Sequence, residues 1–160
     1  MKRGQAFETM MLVISVIVAI AILGVLLNIL GGVSFGVGDP KEIMKTELKS
    51  INSAGYGFSQ PKEAEFKSGA YIDQRSVIGD APILASQLAF GCKSGNTVCG
   101  AGRDAAIEVT KEDITVSKNT KAFIVVCGDE SKDEPNYCVG IGRQPADARE
   151  ACREACNIRQ

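Results

Sequence analysis

The chain has 160 residues, 18 of them basic and 19 acidic, for a formal net charge of -1, and it contains neither His nor Trp. A charge balance this even, with no long block of one sign, argues against nucleic acid as a partner, because backbone binding needs a basic surface. The lack of His removes the commonest general base near neutral pH and the commonest metal ligand.

The first element is an apolar run, Met10–Leu30, with no ionisable side chain over about 21 positions, a helical length of roughly 31 Å that matches a hydrocarbon core. Lys2 and Arg3 precede it, so the positive-inside tendency keeps the N-terminus cytoplasmic and sends the C-terminal part outward as a single-pass protein. A cleaved secretory signal has an apolar region of about 7–15 residues and an A-x-A type site. Here the run is longer and flows into GGVSFGVG. Its surface is mostly β-branched and Leu side chains, with Ser15, Gly24 and Asn28 as exceptions. Such a surface suits membrane lipid and suits copies of itself.

The stretch RGQAFETMMLVI, with a basic residue, Gly-Gln and then Glu before the apolar run, resembles the N-terminus of archaeal type IV pilins (a class III signal peptide). The resemblance covers about the first 30 residues, and hydrophobic helices match one another easily. It implies that a prepilin peptidase cuts between Gly4 and Gln5, removing a leader of residues 1–4 and keeping the apolar helix. It also implies that Glu8 pairs with the amino terminus of a neighbouring subunit in a filament core. Cutting after Gly4 places Glu8 at the fourth mature position, where the family pattern usually has the fifth. The plainer role of Glu8 is an anion in a first helical turn, favoured by about 0.3–1 kcal/mol through the helix dipole.

Four glycines in GGVSFGVG predict a break over residues 33–39 between the helix of residues 5–32 and a head of residues 40–160. Asp39-Pro40-Lys41-Glu42 reads as a helix restart, with Asp39 as N-cap and Pro40 at the first helical position. Ile43, Met44, Leu48 and Ile51 form one stripe, so a helix is expected from about Pro40 to Ser53. A turn around Gly55–Pro61 follows, then extended segments at Ala64–Lys67 and Tyr71–Ile78. Pro82–Phe90 is ambiguous and reads as a short helix opened by Asp80. Ala106–Thr110 and Ile114–Ser117 read as a hairpin. Lys121–Cys127 is the best buried strand, with Tyr137–Ile141 returning beside it, and Pro145 to about Asn157 is rich in helix formers.

All six cysteines, Cys92, Cys99, Cys127, Cys138, Cys152 and Cys156, lie beyond the apolar run. An even count in a small domain past a membrane segment predicts disulfides in an oxidising compartment. Cys127 shares a strand face with Phe123 and Val125, and Cys152 and Cys156 point to one side of a helix. Six cysteines allow 15 pairings; the expected one has a helix lying on the hairpin and joining Cys127 and Cys138 to Cys152 and Cys156, in an order left open, with Cys92 and Cys99 closing CKSGNTVC. Each bridge adds roughly 2–4 kcal/mol. A zinc site is the competing use, but there are no paired C-x₂-C knuckles. The loop GDESKDEPN carries Asp129, Glu130, Asp133 and Glu134 at spacings that fit no Ca²⁺ loop, and reads as a solvated turn.

No G-x-S-x-G, phosphate-binding glycine loop or Cys/His pair is present, so no catalytic residue, metal or cofactor is expected. The expected fold is α+β: a long N-terminal hydrophobic helix, then a small disulfide-stapled antiparallel sheet head with a C-terminal helix. The expected role is a structural subunit (pilin, minor pilin or pseudopilin) of an archaeal type IV pilus-like surface filament. Its partners are identical subunits, the prepilin peptidase, an assembly platform and its ATPase, and membrane lipid. The alternative is a single-pass anchored extracellular binding domain that does not polymerise.

Overall fold

The computed structural model describes residues 11, 13–23, 37–93, 98–101, 104–131 and 134–158. The chain divides into two compact units, Met1–Gly36 and Val37–Gln160.

In the first unit, residues 11 and 13–23 are helical (α1). The expected long hydrophobic helix is corrected here: among the described residues no helix is long and apolar enough to cross a membrane. The described helical residues, 11 and 13–23, are fewer than the roughly 20 that a span needs. Hydropathy measures how a segment partitions, and a charge-free run contains no signal that sets helix length. The hinge residues 33–36 lie outside the described residues.

The second unit begins with α2 (Pro40–Ala54), and the reason it starts there is local. Asp39 is extended, and its carboxylate accepts from the N–H groups of Lys41 and Glu42, satisfying two orphan donors of the first turn. Pro40 occupies the first turn, where its missing N–H costs nothing. The helix ends at Gly55, whose left-handed φ of 77° a β-carbon would oppose. Met44, Leu48 and Ile51 form its buried stripe, with Ile43 half-buried.

Sheet A contains β1 (Tyr56–Phe58), β2 (Lys62–Phe66), β4 (Leu88–Cys92), β8 (Thr120–Asp129) and β9 (Tyr137–Gly142); sheet B contains β3 (Tyr71–Asp73), β5 (Cys99–Gly100), β6 (Ile107–Val109) and β7 (Asp113–Val116). In sheet A, β1 and β2 both pair with β8, β8 pairs antiparallel with β9, and β4 lies parallel to β9. In sheet B, β3, β7 and β6 run antiparallel and β5 joins β6 in parallel. The expected antiparallel sheet is thus two mixed sheets. The parallel β4 is the part of PILASQLAF read as a helix. Only Ala85–Gln87 is helical, as one 3₁₀ turn, before the strand begins. A short apolar run buried on both faces has no periodicity that separates strand from helix.

Two further departures have local causes. Tyr71–Ile78 is extended only to Asp73, then turns into α3 (Gln74–Ile78) because the Asp73 side chain accepts from the Ser76 N–H. The turn at Gly55–Pro61 contains β1, and the break between β1 and β2 is bridged by buried Ser59. Its N–H donates to the Val126 carbonyl at 2.7 Å, and its hydroxyl accepts from the Val126 N–H at 2.9 Å. The β6–β7 hairpin, the β8–β9 pair and α4 (Pro145–Ala155) form where the pattern places them.

Strand alternation gives sheet A two different faces. Leu88, Phe90, Ile124, Val126, Val139 and Ile141 share the larger core with α2 and sheet B. Ala89, Val125, Cys127 and Cys138 point the other way, onto Ala148, Cys152 and Cys156 of the α4 segment.

Candidate functional site

The leader residues Gly4 and Gln5 and the assembly residue Glu8 lie outside the described residues. What is described of the same segment is α1, and its side chains are open to solvent: Met11, Val13, Ile14, Val16, Ile17, Val18, Ile20, Ile22 and Leu23 are 49–65% exposed. Successive positions at about 100° per residue carry this apolar surface around the whole circumference. The contrast with α2 is direct, since α2 confines its apolar residues to one stripe and buries them. A helix apolar on all sides is normally one surrounded by protein or lipid. The only polar side chain of its described stretch, Ser15, turns its hydroxyl onto the Met11 carbonyl at 2.8 Å.

The six cysteines form three disulfides, Cys92–Cys99, Cys127–Cys152 and Cys138–Cys156. Cys127 and Cys138 are cross-strand partners in register, so their side chains leave the same face side by side. Cys152 and Cys156 are one helical turn apart and meet them in that order. The tertiary structure therefore fixes the order of pairing that the sequence left open. Cys92–Cys99 does something different, because it links β4 of sheet A to β5 of sheet B.

The approach of α4 to sheet A depends on missing side chains. A β-carbon on Gly140 would collide with the Ala148 carbonyl oxygen and the Cys152 amide nitrogen, both backbone atoms of α4. Gly91 is similarly placed, since a β-carbon on it would lie 2.9 Å from the Ala151 carbonyl oxygen. Lys93 adds an ion pair from the sheet side, 2.6 Å from Glu150 and 3.6 Å from Asp147. Its ammonium is held above the ordinary lysine range by the Glu150 hydrogen bond and charge.

Polar side chains elsewhere are engaged in holding loops. Tyr137 donates its hydroxyl toward Asn52 at 2.9 Å and Glu130 at 2.8 Å, tying the end of α2 to the β8–β9 turn. Burial, reinforced by the Glu130 carboxylate, pushes its phenol up to about 12. In the acidic loop, Asp129 accepts from the N–H and hydroxyl of Ser131, Glu130 accepts from Tyr137, and Asp133 lies outside the described residues. Among the described residues no group of His, Cys, Asp or Glu is arranged to hold a metal ion. Exposed Tyr71 donates to Asp113 at 3.3 Å, with its phenol raised by desolvation and by that carboxylate. Hydrogen bonding from Ser76 holds the Asp73 carboxyl below its usual range.

One concavity went unforeseen in the sequence. A cleft of ≈ 340 Å³ opens beside the start of α2, with Pro40 and Ile72 among its apolar lining and Lys41, Glu65, Lys67 and Tyr71 around it. Its lining comes from three separated stretches, so no local pattern announces it. Comparison with protein-family models, with curated proteins and with solved structures finds no match to this chain.

Proposed function

We propose that this chain is a structural subunit of a surface filament of the archaeal type IV pilus kind. The observation that carries the reading is α1, exposed and apolar around its whole circumference. Such a surface needs lipid before assembly and neighbouring copies after it. Arg3, Gly4, Gln5 and Glu8 support the filament over a simple anchor, because their order resembles a prepilin cleavage site. On this reading the peptidase releases residues 1–4, an assembly platform driven by a cytoplasmic ATPase moves the subunit out of the membrane, and the apolar segments bundle. Glu8 then pairs with a neighbouring amino terminus, since an unmatched charge in that core would be costly. The head stands outside, where its disulfides persist.

Mass spectrometry of the native mature N-terminus tests the reading. A start at Gln5 is expected, and an intact Met1 or Lys2 start in cells with active peptidase would sink it. Negative-stain microscopy of sheared surface material should then show filaments containing this chain. Cleaved protein found only as membrane-bound monomer would favour the anchored binding domain.

A further inference from the structure

Five of the six half-cystines are sealed: Cys99 is 1% exposed, Cys127, Cys138 and Cys152 are 0%, and Cys156 is 5%. Cys92 alone is only half-buried. It stands at the end of β4 on the lining of two adjoining clefts, one of ≈ 460 Å³ shared with Cys99, Lys93 and Lys111, the other of ≈ 230 Å³ shared with Lys111 and Glu154. We propose that Cys92–Cys99 is an exchangeable disulfide, a modification site for small external thiols, while the two bridges of α4 are closed to them.

Thiol–disulfide exchange needs a thiolate to reach one sulfur along the S–S axis, so access decides which bridge reacts. At the α4 bridges that approach is filled, because α4 lies on the sheet with no room even for a β-carbon at Gly140. Reaching them requires lifting α4, a sub-global opening. At Cys92 the cleft is, among the described residues, already open. Exposed Lys111 lines both parts of it and attracts an incoming anion; Lys93 is occupied by Glu150 and Asp147, and Glu154 is the opposing charge.

The thiolate attacks Cys92 Sγ, a new S–S bond forms there, and the Cys92–Cys99 bond breaks. Cys99 Sγ leaves with the electron pair and takes a proton from solvent. A second thiol attacking the adduct releases Cys92 as a thiol and leaves the reductant as its disulfide, two electrons having passed to the cystine. The product has lost the covalent tie between β4 and β5 and keeps both ties to α4.

The test treats the full chain, purified in detergent, with reduced glutathione at neutral pH, quenches with iodoacetamide and maps the peptides. Trypsin can cut after Lys93, which separates Cys92 from Cys99. The expected result is a glutathione adduct on Cys92 and alkylation of Cys99, appearing about tenfold or more ahead of any change at the other four cysteines. A Cys92→Ser, Cys99→Ser double variant should lose the fast phase and keep the slow one. Equal rates at all three bridges, earlier reaction at Cys127–Cys152 or Cys138–Cys156, or no reaction before urea is added would each overturn the proposal.

Discussion

The two faces of sheet A are held by different physics. Toward α2 and sheet B the strands present Leu, Ile, Val and Phe, and cohesion comes from removing large apolar surface from water. Toward α4 they present mainly glycine, alanine and cysteine, with Val125 buried and Phe58 and Phe123 partly buried among them. The glycines let the helix backbone come close, and two disulfides hold it beside this smaller cluster. The lesson is that a small domain can attach one layer by burial and another by covalent bonds, and each layer should fail differently.

The sharpest probe of the burial face is Phe66→Ala. Phe66 is fully buried in the larger core, and its truncation should cost about 4 kcal/mol in urea unfolding, without altering the disulfide map. The matching probe of the covalent face is Cys127→Ala with Cys152→Ala. That bridge spans 25 residues, and the loop-entropy relation gives a loss of about 3.5 kcal/mol. A loss near zero would mean that α4 is held by packing after all. Gly140→Ala should follow, at about 3 kcal/mol, the upper part of the overpacking range, since the atoms in its way are backbone. A tolerated Gly140→Leu would break the close-approach account.

The smallest effect is at the rim of the burial face and depends on pH. Tyr137 has its phenol raised from 10.0 to about 12, so the fold prefers the neutral form. Its contribution is fully present below pH 10 and is lost as pH rises from there through about 12. Unfolding midpoints measured across that range should fall, and Tyr137→Phe should remove that part of the fall.

Much of the head was legible because its signals are local. Asp39-Pro40-x-Glu marks α2, alternation marks β6, β7 and β8, and helix formers after Pro145 mark α4. The misread stretches lack such a signal or hide it. Leu88–Cys92 is apolar on both faces and therefore aperiodic, while α3 depends on one carboxylate, Asp73, capping five residues. For the candidate assembly segment, sequence shows the apolar surface of α1 but not how far its helix runs.

The disulfides show the division most clearly. By itself the sequence determined that Cys127 shares a strand face with Phe123 and Val125, and that Cys152 and Cys156 leave a helix on one side, because both follow from fixed backbone periods. Only the tertiary structure decided that Cys127 meets Cys152 and Cys138 meets Cys156, and that Cys92–Cys99 joins two sheets. Those outcomes depend on the direction in which α4 crosses β8 and β9 and on the parallel entry of β4. Both are set by which surfaces bury together across long stretches of chain, which no local period encodes.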